Sequence, residues 1–211
     1  MNLPTKITVS RIIATVLLIV TLIVLSIVPP FTTPVLGNTK INLVFLVIFV
    51  FFLIASYTDH LDGKLARKNN QVTDLGKFLD PIADKLLVNS MLIFLAVPSL
   101  SSGYNSEQTV YISAWCVIFM VARDIVVDAL RFIGAQKGVV ISANIFGKMK
   151  TVIQMVAISA VLLNDFPFHY MYPNLQTPEL SVTAFLVYLA TAVSVISGII
   201  YVIQNKKVFK K

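Results

Sequence analysis

Residues 180–204 read LSVTAFLVYLATAVSVISGIIYVIQ, an unbroken run without one charged side chain. A helix needs about 20 mostly apolar residues to cross the hydrocarbon core of a bilayer. This run is long enough by itself, and uncharged stretches recur at 12–39, 41–58, 86–106, 108–122 and 151–164. Pro29, Pro30 and Pro34 must end the helical part of the first near Val28. The stretches at 41–58 and 108–122 suffice if their helices run on into polar residues. The stretch at 151–164 suffices if its helix starts near Ile145, with Lys148 and Lys150 snorkelling. The expectation is an all-α integral membrane protein: six transmembrane helices in one domain, 1–211, with a short N-terminal interfacial segment.

Composition agrees. Of 211 residues, 57% are hydrophobic and only 13% charged, against about 25% charged in a soluble domain. Mean hydropathy is +0.84. A chain of this size cannot hide that much apolar surface from water. A lone cysteine, Cys116, excludes a disulfide scaffold. The net charge of +7 fits loops facing anionic headgroups better than nucleic acid, which is not an expected partner. With six spans, placing both termini and the regions near 59–85 and 123–150 in the cytoplasm puts sixteen of 17 Lys and Arg on that side or in helix ends next to it. Lys40 is the exception. That asymmetry is the positive-inside pattern of a multi-pass cell-membrane protein. Tyr104, Tyr111, Tyr170, Tyr172 and Trp115 then read as an aromatic belt at the outer boundary.

The segment 57–85, YTDHLDGKLARKNNQVTDLGKFLDPIADK, holds five of the ten acidic residues. Carboxylates at membrane depth cost roughly 2.5–3.5 kcal/mol each even on a lenient scale. At about 100° per residue, Asp62 lies about −60° from Asp59, Gly63 about +40° and Ala66 about −20°, all on one face. Gly76, Asp80 and Asp84 follow at i, i+4, i+8 on the next helix. Pro81 marks either the first turn of a helix capped by Asp80 or a kink. Helices joined by a short loop are antiparallel neighbours, so the two stripes can converge four carboxylates. Oxygen-only ligands suit Mg²⁺, Mn²⁺ or Ca²⁺, and no His or Cys at ligand spacing favours zinc. Ion pairing with Lys64, Arg67, Lys77 and Lys85 would not require the small Gly63, Ala66 and Gly76. A ligand approaching the backbone closely would. A divalent-cation transporter, the rival from another class, leaves those small residues unexplained.

The pattern Asp59-x2-Asp62-Gly63-x2-Ala66-Arg67-x8-Gly76-x3-Asp80-x3-Asp84 resembles the signature of the CDP-alcohol phosphatidyltransferase family without a departure. The resemblance implies six transmembrane helices, a homodimer and a divalent-metal site at the cytoplasmic boundary. It also implies transfer of a phosphate-linked group from a CDP-linked donor to an alcohol, with release of CMP. Residues 2–11, 122–131 and 147–154 are similar to the bacterial phosphatidylglycerophosphate synthase branch. That branch usually carries Asn at position 5 and Glu at position 124, where this chain has Thr5 and Asp124. On this resemblance the donor is CDP-diacylglycerol and the acceptor glycerol 3-phosphate, with inositol phosphate or serine as the nearer alternatives. Two Mg²⁺ or Mn²⁺ ions would sit on Asp59, Asp62, Asp80 and Asp84, with Asp84 as general base. Thr8, Asp62, Gly63, Ala66, Arg67 and Gly76 would line the donor site.

The basic residues also make sense by themselves. Arg123 and Arg131, at i, i+8, share nearly one helical face, and Lys148 and Lys150 open the next hydrophobic segment. A phosphate-bearing acceptor needs such cations. Asp124 and Asp128 read as structural partners of these groups. His60 lies about 100° from Asp59 on another face and is a bystander.

Overall fold

A computed structural model of the chain describes residues 3–27, 35–36, 39, 41–68, 74–97, 112–138, 145–171 and 180–206. Within its helices, the side chains at 3–5, 25–26, 59–68, 74–78 and 169 fall outside the described set. The described residues are helical apart from short turns and one isolated bridge between Val35 and Asn42. The helices are α1 (Leu3–Ile27), α2 (Leu43–Lys68), α3 (Asp74–Ala96), α4 (Ala114–Gln136), α5 (Ile145–Leu162), α6 (Phe168–Met171) and α7 (Val182–Gln204).

The boundaries follow local chemistry. α1 stops two residues before Pro29, whose ring disfavours helical backbone at the residue preceding it. The N-terminal segment is the first turns of α1, not a separate interfacial element. Pro81 lies inside α3 and does not start a helix. Its missing N–H leaves the Lys77 carbonyl without its helical donor. α4 ends at Gln136, and two residues on Gly138 has a φ of +70, the left-handed conformation that glycine adopts at little cost. α5 starts at Ile145, where the hydrophobic pattern requires it.

Among the described residues, three helices are long and apolar enough to cross a membrane: Lys6–Val24 of α1, Ile145–Leu162 and Val182–Gln204. The other three long helices are displaced from their apolar stretches toward charge. α2 runs ten residues past Thr58, α3 begins twelve before Leu86, and α4 runs fourteen past Ala122. Their charged ends lower the mean hydropathy, and they also carry the residues of interest.

The chain divides into two compact units, Met1–Gln108 with Leu162–Asn164, and Thr109–Val161 with Asp165–Lys211. In the first, α1 packs on α3 and α2, and α2 touches α3. Its core contains Phe45, Phe52, Met91, Leu92 and Leu95, all nearly inaccessible. The Phe45 and Phe94 rings lie 6.0 Å apart. In the second, α4 packs on α7, and Val127, Leu130 and Tyr201 form a buried cluster.

Polarity runs inward. On α1, Thr8, Arg11 and Thr15 are buried while Ile13, Leu17, Val20 and Val24 are exposed. On α7, Thr183, Thr191, Ser194 and Ser197 are buried while Phe185, Ile196, Ile199 and Ile203 are exposed. In water this would be unfavourable. Against lipid it is the stable arrangement: small hydroxylated residues allow close helix contact, and large aliphatic ones meet acyl chains.

The start of α7 is held twice. The Ser181 hydroxyl accepts from the Ala184 N–H at 3.0 Å. The buried Asp165 carboxylate accepts from the Thr183 N–H at 2.9 Å and from its hydroxyl at 2.5 Å. An anion at a helix N-terminus also meets the positive end of the macrodipole. Asp165→Ala is expected to cost about 1–2 kcal/mol, read as a lower melting temperature in detergent. An unchanged melting temperature would exclude Asp165 as the cap.

Candidate active site

In the first unit, residues 43–68 and 74–96 are both helical. The one-face spacing of Asp59, Asp62, Gly63 and Ala66, and the stripe of Gly76, Asp80 and Asp84, therefore hold for the backbone. The side chains of Asp59, Asp62, Arg67 and the positions of Gly63, Ala66 and Gly76 in the site lie outside the described residues. Convergence of the four carboxylates lies outside them too.

Asp80 and Asp84 are described. Both are half-buried on α3, flanking the buried Ala83. The Thr8 hydroxyl donates to Asp80 Oδ1 at 2.8 Å across α1 and α3. Thr8 is 2% exposed. The sequence places Thr8 against the donor, but its single hydroxyl proton goes to Asp80. Thr8 thus fixes the orientation of one carboxylate oxygen and leaves Oδ2 outside that bond. Hydrogen-bonding partners of this kind hold metal-ligating carboxylates in place.

In the second unit, Asp124 lies between two cations. Lys150 Nζ, from α5, donates to Asp124 Oδ1 at 2.9 Å and to Oδ2 at 2.8 Å. Arg123 Nη1 donates to the same Oδ1 at 2.9 Å. Arg123 Nη2 donates to Ser197 Oγ on α7 at 3.0 Å. Asp124 and Lys150 side chains are each 6% exposed and Arg123 is 12% exposed. The triad carries one more positive than negative charge.

Two turns along α4, Arg131 Nε donates to the Tyr201 hydroxyl at 3.0 Å, and its guanidinium carbon lies 5.6 Å from that ring's centre. Arg123 and Arg131 are eight residues apart and meet Ser197 and Tyr201, four residues apart on α7. The shared face read from the i, i+8 spacing is therefore the α4–α7 interface.

The two lysines separate. Lys150 is buried on Asp124 and Lys148 is exposed. Positions two apart on a helix are about 200° apart, so one residue cannot join the other in a shared pocket. Gln154, one turn beyond Lys150, is 1% exposed, and neither its amide nitrogen nor its amide oxygen has a partner. The buried Arg123 Nε also lacks one. Unmade hydrogen bonds at buried groups cost about 1–3 kcal/mol each. Among the described residues no cluster of three or more His, Cys, Asp or Glu forms.

The ion pair gives a clear expectation. Asp124→Asn leaves two buried cations without their counter-charge and is expected to destabilise by about 3–5 kcal/mol. Asp124→Asn with Lys150→Met removes one of those cations and should recover a large part of the loss. Thermal unfolding of both single variants and the double variant measures this. Simple additivity of the two single losses would show that the contact carries no coupling.

The comparisons with known proteins can now be set beside this geometry. Residues 1–203 match the family model described as CDP-alcohol phosphatidyltransferase. The chain is similar to a Bacillus subtilis protein named CDP-diacylglycerol–glycerol-3-phosphate 3-phosphatidyltransferase. The two are 41% identical over 169 residues, 79% of each chain. A Mycoplasma pneumoniae protein of the same name is 36% identical over 183 residues, 83% of this chain and 74% of that one. A third relative so named, from Rickettsia bellii, is 35% identical over 158 residues, 75% of this chain and 78% of its own. With a family model spanning nearly its whole length, and relatives of one name at this similarity, the chain belongs to the CDP-alcohol phosphatidyltransferase family.

Proposed function

We propose that this chain transfers the phosphatidyl group of CDP-diacylglycerol to glycerol 3-phosphate, giving phosphatidylglycerol phosphate and CMP. Family membership and the shared name of the relatives support the reaction. The observation that carries the acceptor is the cationic set on α4. Arg123 uses one N–H for Asp124 and one for Ser197, of the five that a guanidinium offers. The bond from Arg131 to Tyr201 uses Nε and leaves both terminal nitrogens outside it. A dianionic phosphate is the partner that such paired forks bind best, through charge-assisted bonds. Lys150 serves this set indirectly, by holding Asp124. Lys148, exposed at the start of α5, is free to meet the acceptor from solvent.

Asp59, Asp62, Asp80 and Asp84 fit two hard divalent cations, Mg²⁺ or Mn²⁺. All four offer oxygen only, two lie half-buried one turn apart, and Thr8 already orients one of them. Such ions supply charge neutralisation at a diphosphate and its departing CMP. The chain's own residues do the rest. Arg123 and Arg131 bind the phosphate of the acceptor. Asp84 takes the hydroxyl proton as oxygen attacks the phosphorus bearing diacylglycerol. An ordinary carboxylate is a weak base for an alcohol, so positioning carries most of the rate. Gly63, Ala66 and Gly76 leave room for the cytidine, with Arg67 against the donor.

The test is CMP release by purified protein with CDP-diacylglycerol, Mg²⁺ or Mn²⁺ and a panel of alcohols. Glycerol 3-phosphate should be the preferred acceptor. Arg123→Ala or Arg131→Ala should raise its KM by about tenfold, equivalent to about 1.4 kcal/mol. The KM for CDP-diacylglycerol should change much less. Equal turnover of plain glycerol, serine or inositol phosphate by the wild type would refute the phosphate pocket.

The same reading makes the chain a six-span homodimer of the cell membrane with its termini and active site cytoplasmic. The lysine and arginine asymmetry supports the cytoplasmic placing of the termini and active site. In a Cys116→Ala background, Lys137→Cys should react with impermeant maleimide only from the cytoplasmic side and Leu180→Cys only from outside. The reverse pattern would invert the topology.

A further inference from the structure

Gly198 lies on the buried face of α7, one residue after Ser197. A Cβ placed there would stand 2.7 Å from Arg123 Cγ, with Arg123 Cβ and Nε both at 3.7 Å. Real Cβ atoms essentially never approach another carbon so closely. The atom in the way is near the root of the arginine, so rotating the guanidinium alone cannot relieve the clash. Arg123 and Gly198 also line the same groove between α4 and α7, about 330 Å³ in volume, whose other walls are aliphatic or aromatic. The arginine stem therefore passes over bare α7 backbone, and only beyond it does the guanidinium reach Ser197 and Asp124.

We infer that Gly198 is a positioning residue for acceptor binding. Its missing side chain leaves room for the Arg123 stem to lie flat on α7 with its guanidinium turned toward Asp124. Ser197 fixes the far end of the arginine through Nη2. A glycine in mid-helix is otherwise unfavourable by about 0.5–1 kcal/mol relative to alanine, so helix propensity does not account for it. The inference rests on the acceptor role proposed above for Arg123.

Two features separate positioning from a general packing role. Gly198→Ala improves helix propensity. A variant that keeps or gains thermal stability while losing acceptor affinity has lost geometry, not fold. The second feature is dependence on Arg123, which a double-mutant cycle measures. Gly198→Ala alone should raise the KM for glycerol 3-phosphate by about tenfold, the effect of losing one charge-assisted contact. kcat and the KM for CDP-diacylglycerol should move less than about twofold. In an Arg123→Ala background, Gly198→Ala should add nothing further. Ser197→Ala adds no bulk and covers the case in which Gly198→Ala does not fold. It should raise the same KM, again only when Arg123 is present.

The outcomes are distinct. If Arg123→Ala raises the KM but Gly198→Ala and Ser197→Ala leave it unchanged, the positioning inference fails and the acceptor reading stands. If Gly198→Ala has the same effect with and without Arg123, Gly198 acts through packing and the inference also fails. If Arg123→Ala leaves the KM unchanged, the acceptor reading itself is wrong.

Discussion

The second unit depends on one carboxylate. Asp124 accepts both its neighbour Arg123 and Lys150 of the next helix, in surroundings where each side chain is at most 12% exposed. Charges so placed have lost most of their hydration, and only mutual contact recovers it. The contact also restricts geometry. Lys150 spans both carboxylate oxygens, which fixes the plane of the carboxylate, and that plane sets where Arg123 Nη1 must lie. With Nη2 on Ser197, the guanidinium is held at two points from two directions. An arginine held this way loses little further freedom on meeting a phosphate, which is the advantage of a preorganised fork over a flexible ammonium.

Much of this was legible from periodicity and spacing. The start of α5 at Ile145, the end of α1 before Pro29 and the shared face of Arg123 and Arg131 follow from the 3.6-residue repeat and from proline sterics. The role of Asp124 as a partner of cations follows from its adjacency to Arg123. The partners across helices were not legible. Nothing in the spacing of Thr8 says that α1 lies against α3 at Asp80, or that Ser197 and Tyr201 stand opposite the two arginines. Local periodicity gives the face of a residue, while its neighbour depends on which helices pack. Lys148 and Lys150 are instructive because their 200° separation was available from the sequence. Their nearness along the chain suggests a common pocket, whereas the structure leaves Lys148 exposed and Lys150 buried on Asp124.

Among the described residues of the second unit, three buried side chains hold unsatisfied polar atoms: the Gln154 amide, Arg123 Nε and the Ser194 hydroxyl. An apolar side chain at 154 would remove that cost, since replacing an unpaired polar group by one of similar shape is neutral or stabilising.

The two units, considered separately, use one device. A small hydroxylated residue on an apolar helix holds a charged residue of another element: Thr8 on Asp80, Ser197 on Arg123 and Thr183 on Asp165. Each hydroxyl adds little polarity to its helix, so the helix remains compatible with lipid. Each is nevertheless strong enough, at 2.5–3.0 Å, to select one orientation of its partner. In the absence of water a charged group left to choose among several poor partners would sample them all. One short hydroxyl contact is sufficient to decide. This explains why the charged signature is conspicuous in the sequence while the residues that aim it, threonine and serine in apolar runs, are not. Hydropathy scales weigh these hydroxyls as nearly neutral, yet they determine where the ionised groups point.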